Sequence, residues 1–188
     1  MSYQWFIGID VSKQTLDITI LNNNKKKMYE QIVNSDQSIK SFLKKLVSVQ
    51  KLCLADCLFC LEHTGIYNNH FLKVMEEKKL AVCLESSVQI KQSGGLLRGK
   101  NDKVDSCRIA LYAFKNKEFL TLWQPERTVI KHLRRLTGIR ERLLNAKKQI
   151  TNAVKEDKIF IDKNSSAQMI KCCKQSVRAL QEDIKKTE

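Results

Sequence analysis

The stretch that decides the fold is residues 4–33, QWFIGIDVSKQTLDITILNNNKKKMYEQIV. It begins with an apolar run, 4–9, that ends at Asp10, and continues with a segment, 16–21, in which apolar and polar residues alternate. Three consecutive asparagines then provide a turn, because Asn tolerates positive φ. The pattern predicts three strands, of which the second and the third (27–33) pair as an antiparallel hairpin.

Helices and strands alternate over the rest of the first 116 residues. After the helix caps at 34–36, the apolar spacing predicts a helix, a strand at 57–61, a helix at 66–78, a strand at 80–84 and a helix from 101 or 102 to 115. The last helix is expected to bury Val104, Ile109, Leu111 and Tyr112, with Cys107 as a further candidate. Strands joined through helices pair in parallel. This order is that of an α/β fold of the ribonuclease-H-like kind, a mixed five-stranded sheet with flanking helices.

The chain changes character at Pro125. Apolar residues recur every seven positions beyond it, at Val129, Leu136, Leu143 and Ile150, and basic residues fill most of the positions between them. This pattern predicts a long basic helical segment of the coiled-coil type over 125–188, following an α/β domain over 1–124. Arg140 and Lys147 fall on the other seam position, which disfavours a simple dimeric zipper.

Positive charge is concentrated in the second half of the chain. Residues 1–90 carry 11 basic and 9 acidic side chains, whereas residues 91–188 carry 23 and 11, for a net charge of +14 overall. The asymmetry favours a nucleic-acid partner. A membrane surface is disfavoured because the basic segments lack Trp and Phe on an opposing face. Without a signal peptide or a long apolar run, the protein is predicted to be cytoplasmic, with its seven cysteines reduced.

Four acidic residues lie at the ends of predicted elements. Asp10 and Glu62 follow the first and fourth strands, which are neighbours in the predicted sheet, and Asp102 and Asp105 open the last helix on one shared face. Carboxylates crowded together repel one another unless cations bind between them, and hard oxygen ligands favour Mg²⁺ or Mn²⁺. Two such ions about 4 Å apart support phosphodiester cleavage. The four acids are therefore candidate metal ligands and catalytic residues.

A structural interpretation remains open for each of these acids. Asp102 can be an ordinary helix cap, Asp105 a partner of the helix dipole, and Asp10 and Glu62 plain strand-end residues. Basic residues are the candidates for contacts with nucleic-acid phosphates, namely Lys13, Arg98, Lys100, Lys103, Arg134 and Arg135. The pair Cys57 and Cys60 is assigned to the core rather than to zinc, because no second cysteine pair follows at ligand spacing.

Three motifs occur in a specific order along the chain. They are GIDVSK at 8–13 with Leu16-Asp17 behind it, EHTGIY at 62–67, and GKNDKVD at 99–105 with Ile109-Ala110 behind it. With these motifs, about residues 5–155 resemble the N-terminal part of the DEDD transposases of bacterial insertion sequences. Those proteins are RuvC-like, bridge-RNA-guided recombinases and are also similar to the Piv-type DNA invertases.

The resemblance implies a function in DNA transposition and recombination. The family's metal-binding tetrad falls on Asp10, Glu62, Asp102 and Asp105, with Mg²⁺ or Mn²⁺ as the cofactor. The resemblance further implies DNA and a structured guide RNA as partners, assembly into dimers or tetramers through the helical segment, and a place in the bacterial cytoplasm at the nucleoid.

Two positions differ from the family pattern, Asn101 where Thr is usual and Ser106 where Ala is usual. Members of the family also carry a C-terminal domain with a nucleophilic Ser, which nothing after residue 155 resembles. We therefore expect recombination to be incomplete without such a domain. The alternative function is that of a non-catalytic module that binds nucleic acid and forms oligomers.

Overall fold

Five strands form one mixed sheet in the computed structural model, which describes residues 3–94, 101–160 and 163–188. The strands are β1 (Trp5–Val11), β2 (Thr15–Asn22), β3 (Lys27–Val33), β4 (Cys57–Glu62) and β5 (Val82–Glu85). Their order across the sheet is β3-β2-β1-β4-β5. The first three are antiparallel neighbours, whereas β4 runs parallel to both β1 and β5. The predicted mixed five-stranded sheet with flanking helices is confirmed.

The ladder between β1 and β2 is longer than the sequence predicts. It continues through the pairs Asp10 with Asp17 and Val11 with Leu16, so Asp10 lies inside the strand rather than beyond its end. The extension is possible because Val11 and Leu16 are both apolar and buried, which continues the core to the end of the hairpin. Asp10 is consequently held by strand pairing instead of lying in a loop.

Within residues 3–94 and 101–125, four α-helices accompany the sheet, namely α1 (Asp36–Ser48), α2 (Asn69–Lys78), α3 (Ser87–Gly94) and α4 (Asp102–Asn116). The Ser35 side chain caps α1 by accepting a hydrogen bond from the backbone N–H of Ser38. The predicted start of α2 at residue 66 is wrong, because Gly65–Asn68 form a 3₁₀ turn before it. Helix α3 was not predicted from the sequence; its apolar periodicity is weak, and Ile90 is the one residue of 87–93 that is buried.

Each face of the sheet carries its own core. On one face, Ile7 and Ile9 of β1 belong to a cluster with α1 and α2, whereas Phe6 of β1 packs on the other face with residues of α4. Cys57 and Cys60 are buried in opposite clusters, as expected for residues three apart in a strand. The assignment of this cysteine pair to the core is confirmed.

Helix α4 lies directly on the backbone of β1. A Cβ atom added at Gly8 would lie 2.2 Å from the backbone nitrogen of Ala110 and 2.3 Å from the carbonyl oxygen of Ser106. The buried hydroxyls of Ser106 and Thr19, 2.9 Å apart, join α4 to β2 beside this contact. Ile109 and Tyr112 are buried as predicted, but Val104 and Leu111 are only half-buried. Small residues, rather than large ones, allow the helix to approach the sheet so closely.

The chain divides into two units, residues 1–125 and 126–188. The second unit contains α5 (Thr128–Phe160) and α6 (Lys163–Lys186), which pack against each other. Arg140 near the start of α5 forms an ion pair with Glu188 at the chain end, at 2.9 Å, so the two helices run antiparallel.

The predicted long helical segment is present in the second unit. Leu136, Leu143, Ile150 and Val154 on α5 are half-buried, whereas Val129 and Leu133 are exposed. The apolar seam is thus partly covered by α6 of the same chain. Within the described ranges, neither these helices nor any other is long and apolar enough to span a bilayer.

We expect the substitution Gly8→Ala to destabilise the first unit by about 2–3 kcal/mol, because the new methyl group would overlap the α4 backbone. Urea unfolding followed by circular dichroism measures the change. Gly138→Ala on α5 is the matched control, since its added Cβ meets nothing within 4 Å and Ala favours a helix by about 1 kcal/mol. Equal stability of Gly8→Ala and the natural chain would contradict the close packing of α4.

Candidate metal centre

Four acidic residues lie in one row across the sheet. Asp10 on β1 pairs with Asp17 on β2, and Glu62 on β4 pairs with Glu85 on β5. Strands β1 and β4 pair in parallel up to Ile9 and Leu61, the residues just before Asp10 and Glu62. These two acids therefore lie side by side at the same height in the sheet. Neighbouring residues in such a row point to the same side of a sheet.

The row faces the side of the sheet that α4 covers. Gly8 lies under α4, and Asp10, two residues further along β1, points to the same side. Cys60 and Cys83 also belong to the core cluster under α4, and Glu62 and Glu85 follow them by two residues. The carboxylates therefore emerge where the apolar contact between α4 and the sheet ends.

The first turn of α4 brings two further acids to this edge. The Asn101 side chain caps the helix by accepting a hydrogen bond from the backbone N–H of Lys103, at 3.1 Å. Asp102 is exposed and Asp105 is half-buried on the turn that follows. Burial first, and then the negative charges of Asp105, Asp102, Glu62 and Asp17, raise the pKa of Asp10 to about 6. The other three predicted acids are thus close enough for their charges to act on Asp10.

The carboxylates do not already form a coordination shell. Within the described part of the chain, no three Asp, Glu, His or Cys side chains stand at metal-ligand geometry. Asp105 forms an ion pair with Arg108, in which the Nη1 of Arg108 lies 2.6 Å from the Oδ1 of Asp105. The chemistry of the donors nevertheless fits a hard divalent cation, because all four are carboxylates and a cation would relieve the repulsion that acts on Asp10.

Buried amide side chains hold the loops that follow β1 and β4. The Nδ2 of Asn34 donates to the backbone oxygens of Ser12 and Tyr67, at 2.9 and 3.0 Å. The Nδ2 of Asn68 donates to the backbone oxygen of Glu62, at 3.0 Å. These bonds connect the two loops and fix the end of β4, so the backbone that carries Glu62 is anchored.

A comparison of the sequence with models of protein families gives a second, independent result. A family model described as a transposase, that of the DEDD transposases, matches residues 7–156. The chain belongs to the DEDD transposase family. No curated protein sequence matches the chain.

Two solved structures of RuvC from Thermus thermophilus are similar to this DEDD transposase family member. One, described as in complex with a Holliday junction substrate, has 12% sequence identity and a TM-score of 0.47, covering 64% of this chain and 100% of the other. The second has 12% identity and a TM-score of 0.45, covering 62% and 98%.

The basic residues predicted to meet phosphates are distributed widely in this family member. Lys103 lies on the first turn of α4 with its Nζ 5.0 Å from the centre of the Tyr29 ring, and Lys13 is exposed in the turn after β1. Arg134 and Arg135 are exposed on α5 in the other unit, where Arg134 pairs with Glu126 at 2.7 Å. Two further candidates, Arg98 and Lys100, lie outside the described residues.

Several residues at the site were not predicted from the sequence. Asp17 is buried and accepts hydrogen bonds from Tyr29 and Gln31, and Glu85 accepts one from the hydroxyl of Tyr112 at 3.3 Å. Asp17 is an isolated acid in an apolar strand, and Glu85 ends β5 as Glu62 ends β4. The sequence shows both features, an acid inside an apolar strand and an acid at a strand end. The fifth strand was predicted to end at residue 84, which left Glu85 outside it.

We expect the stability of the metal-free protein to report the crowding around Asp10. Its folded-state pKa of about 6 lies above the ordinary 3.8, so the stability that protonated Asp10 contributes is full below about pH 4 and is lost as the pH rises through 6. Asp10→Asn should therefore raise the free energy of unfolding by about 1–2 kcal/mol near pH 7.5 in EDTA, and by less near pH 4.

Urea unfolding at the two pH values measures this difference. Asp36→Asn is a control of opposite sign, because hydrogen bonds from Lys73 and His70 lower the pKa of Asp36 to about 2 and its charge stabilises the fold at neutral pH. An Asp10→Asn protein less stable than the natural chain near pH 7.5 would contradict the crowded arrangement.

Proposed function

We propose that the chain binds Mg²⁺ or Mn²⁺ through Asp10, Glu62, Asp102 and Asp105 and acts on phosphodiester bonds during DNA transposition or recombination. The observation that carries this proposal is the position of the first turn of α4, which adds two carboxylates to the pair at the ends of β1 and β4. Membership of the DEDD transposase family supports the same role. Recombination as a whole is proposed to need a serine domain in addition.

The protein residues divide the work of holding the site. Asp10 and Glu62 are fixed by the sheet, and Asp102 and Asp105 are fixed by the packing of α4 on Gly8. Arg108 holds Asp105 in the absence of a cation. The metal, when bound, supplies a Lewis acid that polarises a phosphate oxygen.

Lys103 is the described basic residue best placed to meet a phosphate beside the acids. It is exposed, and it lies on the same helical turn as Asp102 and Asp105. The face of the Tyr29 ring keeps its ammonium group nearby through a cation–π contact. Lys13, Arg98 and Lys100 are proposed to contact the same nucleic acid.

DNA and a structured guide RNA are the proposed partners of the second unit. Residues 126–188 carry 16 basic and 8 acidic side chains, and Arg134 and Arg135 are exposed on α5. Such an excess of positive charge on long helices attracts the phosphate backbone. A metal-binding domain over 1–124 and a nucleic-acid-binding segment over 125–188 are both parts of this proposal.

Homo-oligomers are proposed to form through the helical segment. Val129, Ile130 and Leu133 remain exposed near the start of α5, although Leu136 further along is half-buried. A run of exposed apolar residues on a helix is typical of a surface that another protein covers. A dimer or tetramer would cover this one.

A non-catalytic module that binds nucleic acid and forms oligomers is the second candidate. Two observations favour it, namely the lack of a ready coordination shell among the described residues and the ion pair between Asp105 and Arg108. Metal binding separates the two candidates, because a purely nucleic-acid-binding module does not need a cation at the acids.

The experiment compares the 188-residue chain with its Asp10→Asn variant. We expect Asp10→Asn to abolish Mn²⁺-dependent strand cleavage or joining and to weaken Mn²⁺ binding at least about tenfold, because a neutral amide replaces the central carboxylate. Binding of structured RNA at physiological salt should remain nearly intact. Electron paramagnetic resonance of free Mn²⁺ and a gel assay with labelled DNA measure the two effects.

Asp56→Asn is the matched control for this experiment. It removes one acid just before β4, at the end of the sheet opposite to Glu62. We expect it to behave like the natural chain. If the natural chain binds no Mn²⁺ at all, the non-catalytic module is the correct function.

Nucleic-acid affinity is expected to fall steeply with salt. If Lys and Arg neutralise six or more phosphates, the association constant should drop by about 10³-fold between roughly 50 and 200 mM salt. Replacing Arg134 and Arg135 by Gln should reduce the slope of log K against log salt by about 2 without changing sequence preference. Fluorescence anisotropy with labelled DNA and RNA measures both slopes, and a flat response would contradict the proposed phosphate contacts.

A further inference from the structure

Asp17 is a buried carboxylate next to the tetrad but not part of it. Only 2% of the residue is exposed, and its backbone pairs with that of Asp10 in the ladder between β1 and β2. It points to the α4 side of the sheet, since Thr19, two residues further along β2, bonds to Ser106 of α4. A buried carboxylate is costly unless donors surround it, so its presence beside Asp10 requires an explanation.

The donors that hold Asp17 are uncharged. Its Oδ1 accepts hydrogen bonds from the hydroxyl of Tyr29 and from the Nε2 of Gln31, the latter at 3.0 Å. Its Oδ2 accepts a longer bond from the same Nε2, at 3.3 Å. Neutral donors satisfy the oxygens without cancelling the negative charge, which therefore continues to act on Asp10.

The carboxylate of Asp17 is held from the side of β2 that faces away from β1. Both of its donors belong to β3, which lies on the side of β2 opposite to β1. Glu62, the neighbour of Asp10 in the proposed tetrad, lies on the far side of β1. The hydrogen bonds thus hold the carboxylate oxygens from the β3 side, while strand pairing keeps the residue next to Asp10.

The same tyrosine also contacts the acid-bearing turn of α4. The ring of Tyr29 lies under the Nζ of Lys103, 5.0 Å from it, and Lys103 lies between Asp102 and Asp105 in the chain. Tyr29 therefore connects the buried carboxylate to the helix that brings the second pair of acids.

We propose that Asp17 is a positioning residue for cation binding, a fixed negative charge that strengthens the affinity of Asp10 and its neighbours for a divalent metal without ligating it. The inference rests on the proposed function of the tetrad. In a half-buried site the attraction between a carboxylate and a doubly charged ion is much less screened than in water. A charge on the neighbouring strand is therefore close enough to matter.

The variant Asp17→Asn separates charge from hydrogen bonding. The Oδ1 of asparagine can accept both bonds that the Oδ1 of Asp17 now accepts, so the link to Tyr29 and Gln31 is kept, while the charge and the longer Oδ2 bond are removed. Asp17→Thr, which suits a strand and retains a hydroxyl oxygen, is a second neutral variant should the first fold poorly. Asp56→Asn is again the control for loss of one negative charge far from the tetrad.

Titration of the full chain with Mn²⁺, followed by electron paramagnetic resonance, is the measurement. We expect Asp17→Asn and Asp17→Thr to weaken Mn²⁺ binding about five- to tenfold, whereas Asp56→Asn changes it by less than about twofold. Tyr29→Phe keeps the charge but removes a donor. It should therefore weaken Mn²⁺ binding less than Asp17→Asn does, while lowering the midpoint of thermal unfolding more.

Two results would overturn the inference alone. They are unchanged Mn²⁺ affinity in Asp17→Asn, or an equal loss in Tyr29→Phe, when Asp10→Asn has weakened Mn²⁺ binding at least about tenfold, as the proposed function requires. If the natural chain binds no Mn²⁺, the proposed function and the inference fall together.

Discussion

The close contact between helix α4 and the backbone of β1 at Gly8 is the constraint on which the rest of the structure depends. The Ser106 carbonyl and the Ala110 nitrogen occupy the space that any side chain at Gly8 would need. This contact, together with the bond between Ser106 and Thr19, sets the distance from the first turn of the helix to the sheet. Asp102 and Asp105 approach the strand-borne acids, Asp10 and Glu62, because that distance is short.

The carboxylates of the candidate centre repel one another, and several contacts in the metal-free chain reduce this repulsion. Asp10 binds a proton more readily than an ordinary aspartate, with a pKa of about 6. Asp105 forms an ion pair with Arg108, and Asp17 and Glu85 each accept a hydrogen bond from a tyrosine hydroxyl. Each arrangement keeps its carboxylate in place, and the ion pair of Asp105 with Arg108 is the contact that a bound cation would replace.

The sequence was sufficient to predict the sheet, because an apolar run, an alternating strand and an asparagine turn left few ways to pair the first three strands. It was also sufficient to predict that Asp10 and Glu62, at the ends of β1 and β4, are neighbours. It did not predict α3, whose apolar spacing is weak, or the half-burial of Leu111, since hydrophobicity does not reveal that Ser106 and Ala110 are the residues that touch the sheet.

The spacing of residues along the sequence does not predict which side chains form hydrogen bonds or ion pairs with one another. Nothing in the spacing of Asp17, Tyr29 and Gln31 shows that they form one hydrogen-bonded group, because this depends on the register of β2 against β3. The ion pair of Asp105 with Arg108 is likewise visible only in three dimensions, although i, i+3 spacing permits it.

The most direct measurement is a crystal structure of the chain grown with Mn²⁺, with data collected at the manganese absorption edge. If α4 delivers its acids to the strand ends as described, anomalous peaks will lie about 2.0–2.3 Å from carboxylate oxygens of Asp10 and of at least two other members of the tetrad, with Arg108 displaced from Asp105. Peaks confined to other surface acids, with Arg108 still on Asp105, would contradict the account.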